Sequence, residues 1–266
     1  MRSALALARA SWQAAASYRL RLLLSMLSLA VSIVPLYFVA NALQPVMAES
    51  IATEGGQYFG FMVLGMVTFL LLPAAVNGLP GEVGAGIKTG TFEALLGTPA
   101  RLPEVLGGMV GFTIGWSTLR AAALLLGGLI LGANILPSHL LFAIPILALI
   151  VLSYLPFGIV ASALIIAFRT SGPLQKAVLT GSALLGGVYY PTSVIPSWIQ
   201  DVSGLVPLTY GLRALRMTVL EGAPLSAVLP DLAILATMTL GLFGLAWLAL
   251  LRALRYARRE GTLAQY

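Results

Sequence analysis

Along most of the chain, apolar residues run in long unbroken blocks and the polar residues are confined to the gaps between them. The blocks are 22–43, 59–79, 105–131, 140–168, 173–190 and 232–251. A helix needs about 20 mainly apolar residues to cross the hydrocarbon core. The pattern therefore predicts an all-α integral membrane fold with six transmembrane helices. The fifth block is short and the fourth long, so five spans with one buried helix is the alternative layout. There is neither an internal repeat nor a low-complexity linker, and residues 1–266 are expected to form a single membrane domain.

The polar gaps orient the spans. Arg2, Arg9, Arg19 and Arg21 precede the first block, Lys88 and Arg101 lie between the second and third, Arg169 and Lys176 between the fourth and fifth, and Arg252, Arg255, Arg258 and Arg259 follow the sixth. Cytoplasmic loops collect Lys and Arg, so both termini are expected in the cytoplasm, in the inner membrane of a prokaryote. The first two outer loops carry Glu49, Glu54 and His139 but no Lys or Arg. Residues 1–18 wind into an amphipathic helix, with Arg2, Arg9, Gln13 and Ser17 on one side and Leu5, Ala8, Trp12 and Ala15 on the other. Such a basic helix suits the membrane interface. The following apolar block is too long for a signal peptide and is read as an uncleaved first span.

Composition agrees with this reading. Hydrophobic residues make up 59% of the chain and charged residues 9%, with a mean hydropathy of +0.97, whereas soluble domains carry roughly 25% charged residues. The net charge of +6 is concentrated where cytoplasmic loops fall, so nucleic acid is not expected as a partner, and membrane lipids are. With no cysteine, disulfides, thiolate metal sites and cysteine nucleophiles are excluded.

Two gaps carry more information than the rest. The first, 80–104, contains "GEVGAGIKTGTFEALLGTP". A phosphate loop requires Gly, four residues, then Gly-Lys-Ser/Thr; here Ile87 separates Gly86 from Lys88, and Gly90 falls one residue late for a dinucleotide fingerprint. The glycine-rich half reads instead as a flexible exit from the second span. Its second half has the marks of a short helix. Thr91 can cap it, Glu93 lies in the first turn, and Gly97 and Pro99 end it. An exposed edge of Phe92, Leu95 and Leu96 would face either a protein partner or the membrane surface. The second gap, 191–229, mixes apolar and polar residues with Pro191, Pro196 and Pro207, and suits short re-entrant helices in the outer leaflet.

Together these two segments carry a resemblance. Gly90, Thr91, Glu93, Leu95, Leu96, Thr98 and Pro99, followed by Pro191, Pro196, Trp198, Pro207, Leu208, Thr209, Tyr210 and Arg213, resemble the permease subunits of type-2 ABC exporters. The resemblance extends over nearly the whole chain. It implies a membrane subunit, paired with a second copy or a related chain, and driven by two copies of a separate ATPase subunit. ATP and Mg would be bound by that partner and no cofactor by this chain. The segment from Gly90 to Pro99, Phe92 included, would be the coupling helix seated on the ATPase, and the segment from Pro191 to Arg213 would form outer helices capping the exit. The loop pattern looks more like the exporters of drugs, antibiotics and small lipid-like molecules than those of lipid-linked polysaccharides or glycolipids.

Individual residues add detail. Arg120 lies near mid-bilayer in the third block, where an isolated cation costs about 2.5–3.5 kcal/mol on insertion scales. It is expected either to meet an anionic substrate or to have a structural partner. Tyr189 and Tyr190 end the fifth block, as an aromatic belt or as an exit gate. Glu82, Glu93 and Glu104 are spaced for one helix face, but the intervening Gly and Pro argue against a carboxylate cluster. His139 alone is not a metal site. Pro35, Pro73, Pro145 and Pro156 permit kinks. A proton-coupled secondary transporter is the main rival, and it would need intramembrane carboxylates that the blocks lack. An intramembrane protease would need GxSxG or HExxH, and neither is present.

Overall fold

In a computed structural model, residues 19–89, 102–168, 170 and 173–259 are described. Among them the regular structure is helical throughout: α1 Arg19–Met47, α2 Tyr58–Lys88, α3 Leu102–Ile130, α4 Leu140–Phe168, α5 Leu174–Leu185, α6 Ser197–Ser203, α7 Pro207–Val219 and α8 Leu225–Arg259. Single 3₁₀ turns stand at Ala52–Glu54, Pro137–His139 and Thr192–Val194. The predicted N-terminal helix, 1–18, lies outside the described residues.

Among the described residues, five helices are long and apolar enough to cross a membrane: Leu24–Met47, Tyr58–Lys88, Thr113–Ile130, Pro137–Phe168 and Leu225–Ala257. The chain is an integral membrane protein. In α2, 78% of the most apolar window is buried inside the protein, against 17–33% in the other four. α2 is therefore the central post, and the outward faces of the others carry side chains such as Phe38, Leu126 and Leu240. These faces suit lipid, where apolar exposure carries no penalty.

Three elements depart most from their apolar blocks. The fifth block is helical only over Leu174–Leu185, about 18 Å at 1.5 Å per residue. That is short of the hydrocarbon core, and the block continues as irregular backbone through Gly186–Gly187 to Tyr190. The fifth span of the expected six-span layout is thus helical over only part of its length. α2 runs nine residues past its apolar block, through Pro80 and the glycines, to Lys88. The glycine-rich stretch up to Lys88 is helical because packing outweighs propensity. Leu79 and Val83 bury themselves against Ala163, Ile166, Leu250 and Ala253, a cluster separate from the main core. α8 likewise starts at Leu225 and brings Asp231 onto a spanning helix.

Close approaches between helices occur at glycine. A Cβ on Gly158 would meet the Ala75 carbonyl, and one on Gly211 would meet Ile150. Gly158 lies 18 residues below the start of α4 and Ala75 lies 17 below the start of α2, so these helices run side by side at matching depth.

Candidate functional site

The fifth block breaks where two consecutive glycines end the helix. Gly187 takes φ +75, a left-handed conformation that other residues rarely adopt. A helix end in a membrane leaves carbonyls without partners, and each must be satisfied from within the protein. Here a side chain does it. Arg216, on α7, is 2% exposed. Its Nη2 donates to the Gly187 carbonyl at 2.9 Å, to Val188 at 3.3 Å and to Phe61 of α2 at 3.2 Å.

The other arm of the guanidinium reaches the first outer loop. Nη1 donates to Glu54 Oε2 at 3.1 Å, and that carboxylate is 17% exposed. The guanidinium carbon lies 3.3 Å from the centroid of the Phe61 ring, a cation–π contact made stronger by desolvation. One arginine thus ties the broken fifth block, the central helix and the first outer loop together. Gly65 permits this closeness, since a Cβ there would collide with the Val188 carbonyl. Alongside, the Tyr58 hydroxyl donates to the Tyr189 carbonyl at 2.7 Å.

The rest of the outer segment is braced in the same way. Pro196 stands as N-cap of α6 and Pro207 occupies the first turn of α7, where their missing N–H is no loss. The Thr209 hydroxyl donates to the Ser203 carbonyl at 2.8 Å and Tyr210 to Gly204 at 3.0 Å, closing the turn between the two helices. The Tyr190 hydroxyl donates to the Leu184 carbonyl at 2.7 Å. Pro191 is buried, whereas Trp198 is 69% exposed. Arg213 forms a bidentate pair with Asp231 of α8, at 2.8 and 2.6 Å, and lies 5.5 Å from the Tyr210 ring centre. α7 descends beside α4 and α8: Gly211 touches Ile150 and Leu235, each ten residues, or about 15 Å, below the outer start of its helix.

At the loop ends, two glutamines serve as clamps. Gln44 donates to the Gly56 carbonyl at 2.8 Å and accepts from the Tyr58 amide at 2.7 Å. Gln57 donates to the Gly132 carbonyl at 2.9 Å and accepts from the Asn134 amide at 2.5 Å.

Arg120 is placed differently. It sits half-buried on α3, which packs chiefly on α2 and α1. Its Nε is buried without a hydrogen-bond partner, and it makes no ion pair or ring contact with described residues. It is ten residues, about 15 Å, from Ile130 at the end of α3. Arg120 and the pair Tyr189 and Tyr190 share no hydrogen bond or ring contact. Gly90, Thr91, Phe92, Glu93, Leu95, Leu96, Thr98 and Pro99 lie outside the described residues. Among those described, no group of three or more His, Asp or Glu residues could hold a metal.

Sequence reasoning selected Arg213 and passed over Arg216. One signal was available: Leu208, Leu212, Leu215 and Val219 form the buried stripe of α7, and Arg216 follows Leu212 by four. A cation on an apolar stripe demands partners.

The profile of the ABC-2 type transporter family matches residues 5–220. The chain belongs to the ABC-2 type transporter family. The chain is also similar to proteins named Nodulation protein J. It is 26% identical to that of Sinorhizobium fredii over 169 residues, 63% of this chain and 64% of the relative. It is 26% identical to that of Rhizobium leguminosarum bv. viciae over 179 residues, 66% and 67% of the two. With the protein of Bradyrhizobium diazoefficiens it shares 28% over 169 residues, 63% and 64%. The match thus spans just under two thirds of the length of most of these curated relatives. The family match includes both the outer segment built around Arg216 and the 90–99 segment.

Proposed function

We propose that this chain is the membrane subunit of an ATP-driven exporter, dimeric in its working form, that carries an amphipathic, lipid-like molecule away from the cytoplasm. The observation that carries the reading is the family match over residues 5–220. A separate ATPase subunit, in two copies, supplies ATP and Mg chemistry, and the 90–99 segment transmits its closure. The membrane is the inner membrane of a prokaryote, with both termini cytoplasmic, consistent with the exposed Arg252, Arg255 and Arg259 that end α8.

Two features support a lipid-like cargo with an anionic part. Arg120 holds a buried, unpartnered Nε in a spanning helix, and a charge kept at that cost calls for a counter-ion. The outer segment descends about 15 Å between spans at Gly211, a depth at which a cargo still in the bilayer meets the Arg216-braced helices. Drugs and antibiotics of amphipathic character, and glycolipids, fall within this class.

The test is purification in mild detergent with co-purifying subunits, followed by reconstitution in liposomes. An ATPase subunit should co-purify, a cross-linker at Phe92 or Glu93 should capture it, and amphipathic anions should raise ATP turnover. Purification without any ATPase, or transport that collapses with the proton gradient while ATP is intact, overturns the reading in favour of a secondary transporter.

A further inference from the structure

Between α4 and the α7–α8 connection lies a cavity of about 460 Å³, within the range of about 300–1,000 Å³ typical of ligand sites. Its wall runs from His139 through Phe142, Ile146 and Leu149 on one side to Val228 and Leu232 of α8 on the other. We propose that this cavity holds an acyl chain of a bilayer phospholipid from the outer leaflet.

The occupant follows from length, lining and position. From His139 to Leu149 is ten residues, about 15 Å along the helix, and one leaflet of a hydrocarbon core about 30 Å thick is the same depth. Ile146 is 4% and Val228 1% exposed, forming a buried floor, while Phe142 is 60% exposed at the open edge. Water gains little in a site so lined, and an empty space of this size forfeits the contacts that close packing provides. The open edge lies between two helices long and apolar enough to span, so the molecule that meets it in a membrane is an acyl chain.

The mouth offers a matching polar group. Nδ1 of His139 is 3.1 Å from the Ser138 hydroxyl, and its ring lies beside Gly222, which takes φ +68 and has no side chain to fill the entrance. Nε2 has no partner among the described residues and can donate to a phosphodiester oxygen. The nearest carboxylate along the chain, Glu221, is engaged by the Gly55 amide at 3.1 Å. Thr218 contributes no free hydroxyl to the wall, since its Oγ1 donates to the Ala214 carbonyl at 2.8 Å. A chain seated here would brace the link between α7 and α8 from its lipid side.

The experiment places the full chain, with the subunits that co-purify, in nanodiscs of phosphatidylglycerol and phosphatidylethanolamine. A trace of phospholipid carries a photoactivatable diazirine on its acyl chain, and no glycolipid or drug is added. Adducts mapped by mass spectrometry should be several-fold denser at Phe142, Ile146, Leu149 and Leu232 than at Leu126 and Leu240, although the latter two, at 59% and 75% exposed, are as open to lipid as Phe142 or more so. Leu149→Trp should return the cavity residues to the Leu126 level and leave Leu240 unchanged. Should that variant not fold, the milder Leu232→Phe serves. Equal labelling at all sites, or full cavity labelling in a folded filled variant, overturns the proposal. Cavity labelling that is absent here but present in a parallel sample given an amphipathic cargo also overturns it, making the cavity part of the cargo route. Because neither ATP nor cargo is present, the result is independent of whether the chain is an exporter.

Discussion

Arg216 donates to the carbonyl of Gly187 at 2.9 Å, across 29 positions of sequence, at the point where the fifth apolar block stops being a helix. Irregular backbone at membrane depth is tolerated only when buried and satisfied, and this side chain supplies the donors. Arg216→Met should therefore leave Glu54 without its partner and two carbonyls uncapped. Breaking a buried pair from one side costs about 3–5 kcal/mol. Arg216→Lys keeps the charge but loses the fork and should fall between wild type and Met. Thermal unfolding in detergent should rank the three in that order, and Glu54→Gln combined with Arg216→Met should cost less than the sum of the single changes. A Met variant as stable as wild type would refute the capping role.

Gly65 tests the same centre from the opposite wall. A Cβ there collides with the Val188 carbonyl, which is backbone and cannot swing aside. Gly65→Ala should lower stability by about 1–3 kcal/mol, the usual cost of overpacking. Gly81→Ala, with open space around its Cβ and a helical backbone, should be neutral or slightly stabilising. Paired melting curves of the two alanine variants give the comparison.

What could be read in advance divides along physical lines. The fourth block and α4 share their bounds, 140–168, because length and apolarity alone decide a spanning helix. The fifth block defeated the same rule: hydropathy does not distinguish a helix from apolar irregular backbone, and the break depends on a guanidinium supplied from α7. Pro80 and the glycines after it look like a helix stop, but the packing of Val83 on Ala163 and Leu250 carries the helix past them. Arg216 was hidden for a different reason. Its partner Glu54 stands 162 positions away, a distance over which a single sequence offers no pairing signal. Arg120 was legible because a cation inside an apolar block is conspicuous wherever the chain folds.

Arg213 and Asp231 make the contrasting pair. The geometry is bidentate, yet Arg213 is 48% exposed, and exposed pairs contribute about 0–1 kcal/mol. Asp231→Asn should shift the melting temperature far less than Arg216→Met does. A double-mutant cycle with Arg213→Gln should return a coupling under about 1 kcal/mol. A larger coupling would mean that the pair is shielded from water in the membrane.

Glu221 provides a pH handle on the outer loops. Partial burial raises its carboxyl above the usual value, the nearby Glu54 carboxylate adds to the rise, and the hydrogen bond from Gly55 opposes it. The folded state thus holds its proton to higher pH than the unfolded state does, so stability conferred at this site declines as pH climbs from the ordinary carboxylate range through the raised value. Amide exchange at Gly55 and its neighbours should quicken over that window beyond the intrinsic pH dependence. Glu221→Gln should abolish the excess. An excess that survives in the Gln variant would assign it to another group.

Arg120 separates cargo binding from architecture. Both arginines bury an Nε without a partner, but the Nη atoms of Arg216 are engaged by Glu54 and three carbonyls, as a cation that braced the fold requires, whereas Arg120 makes no ion pair or side-chain hydrogen bond with the described residues. Removing it should therefore spare the fold and even relieve an insertion cost of about 2.5–3.5 kcal/mol. Arg120→Gln and Arg120→Ala are expected to express and melt at or above the wild-type temperature. In liposomes with the partner ATPase, both should lose stimulation by anionic amphipathic compounds while basal ATP turnover stays the same. Arg120→Lys should retain part of the stimulation, since the charge survives without the planar fork. If the Ala variant is stimulated as strongly as wild type, the cargo's anion is met elsewhere; if it unfolds, Arg120 holds a structural contact after all.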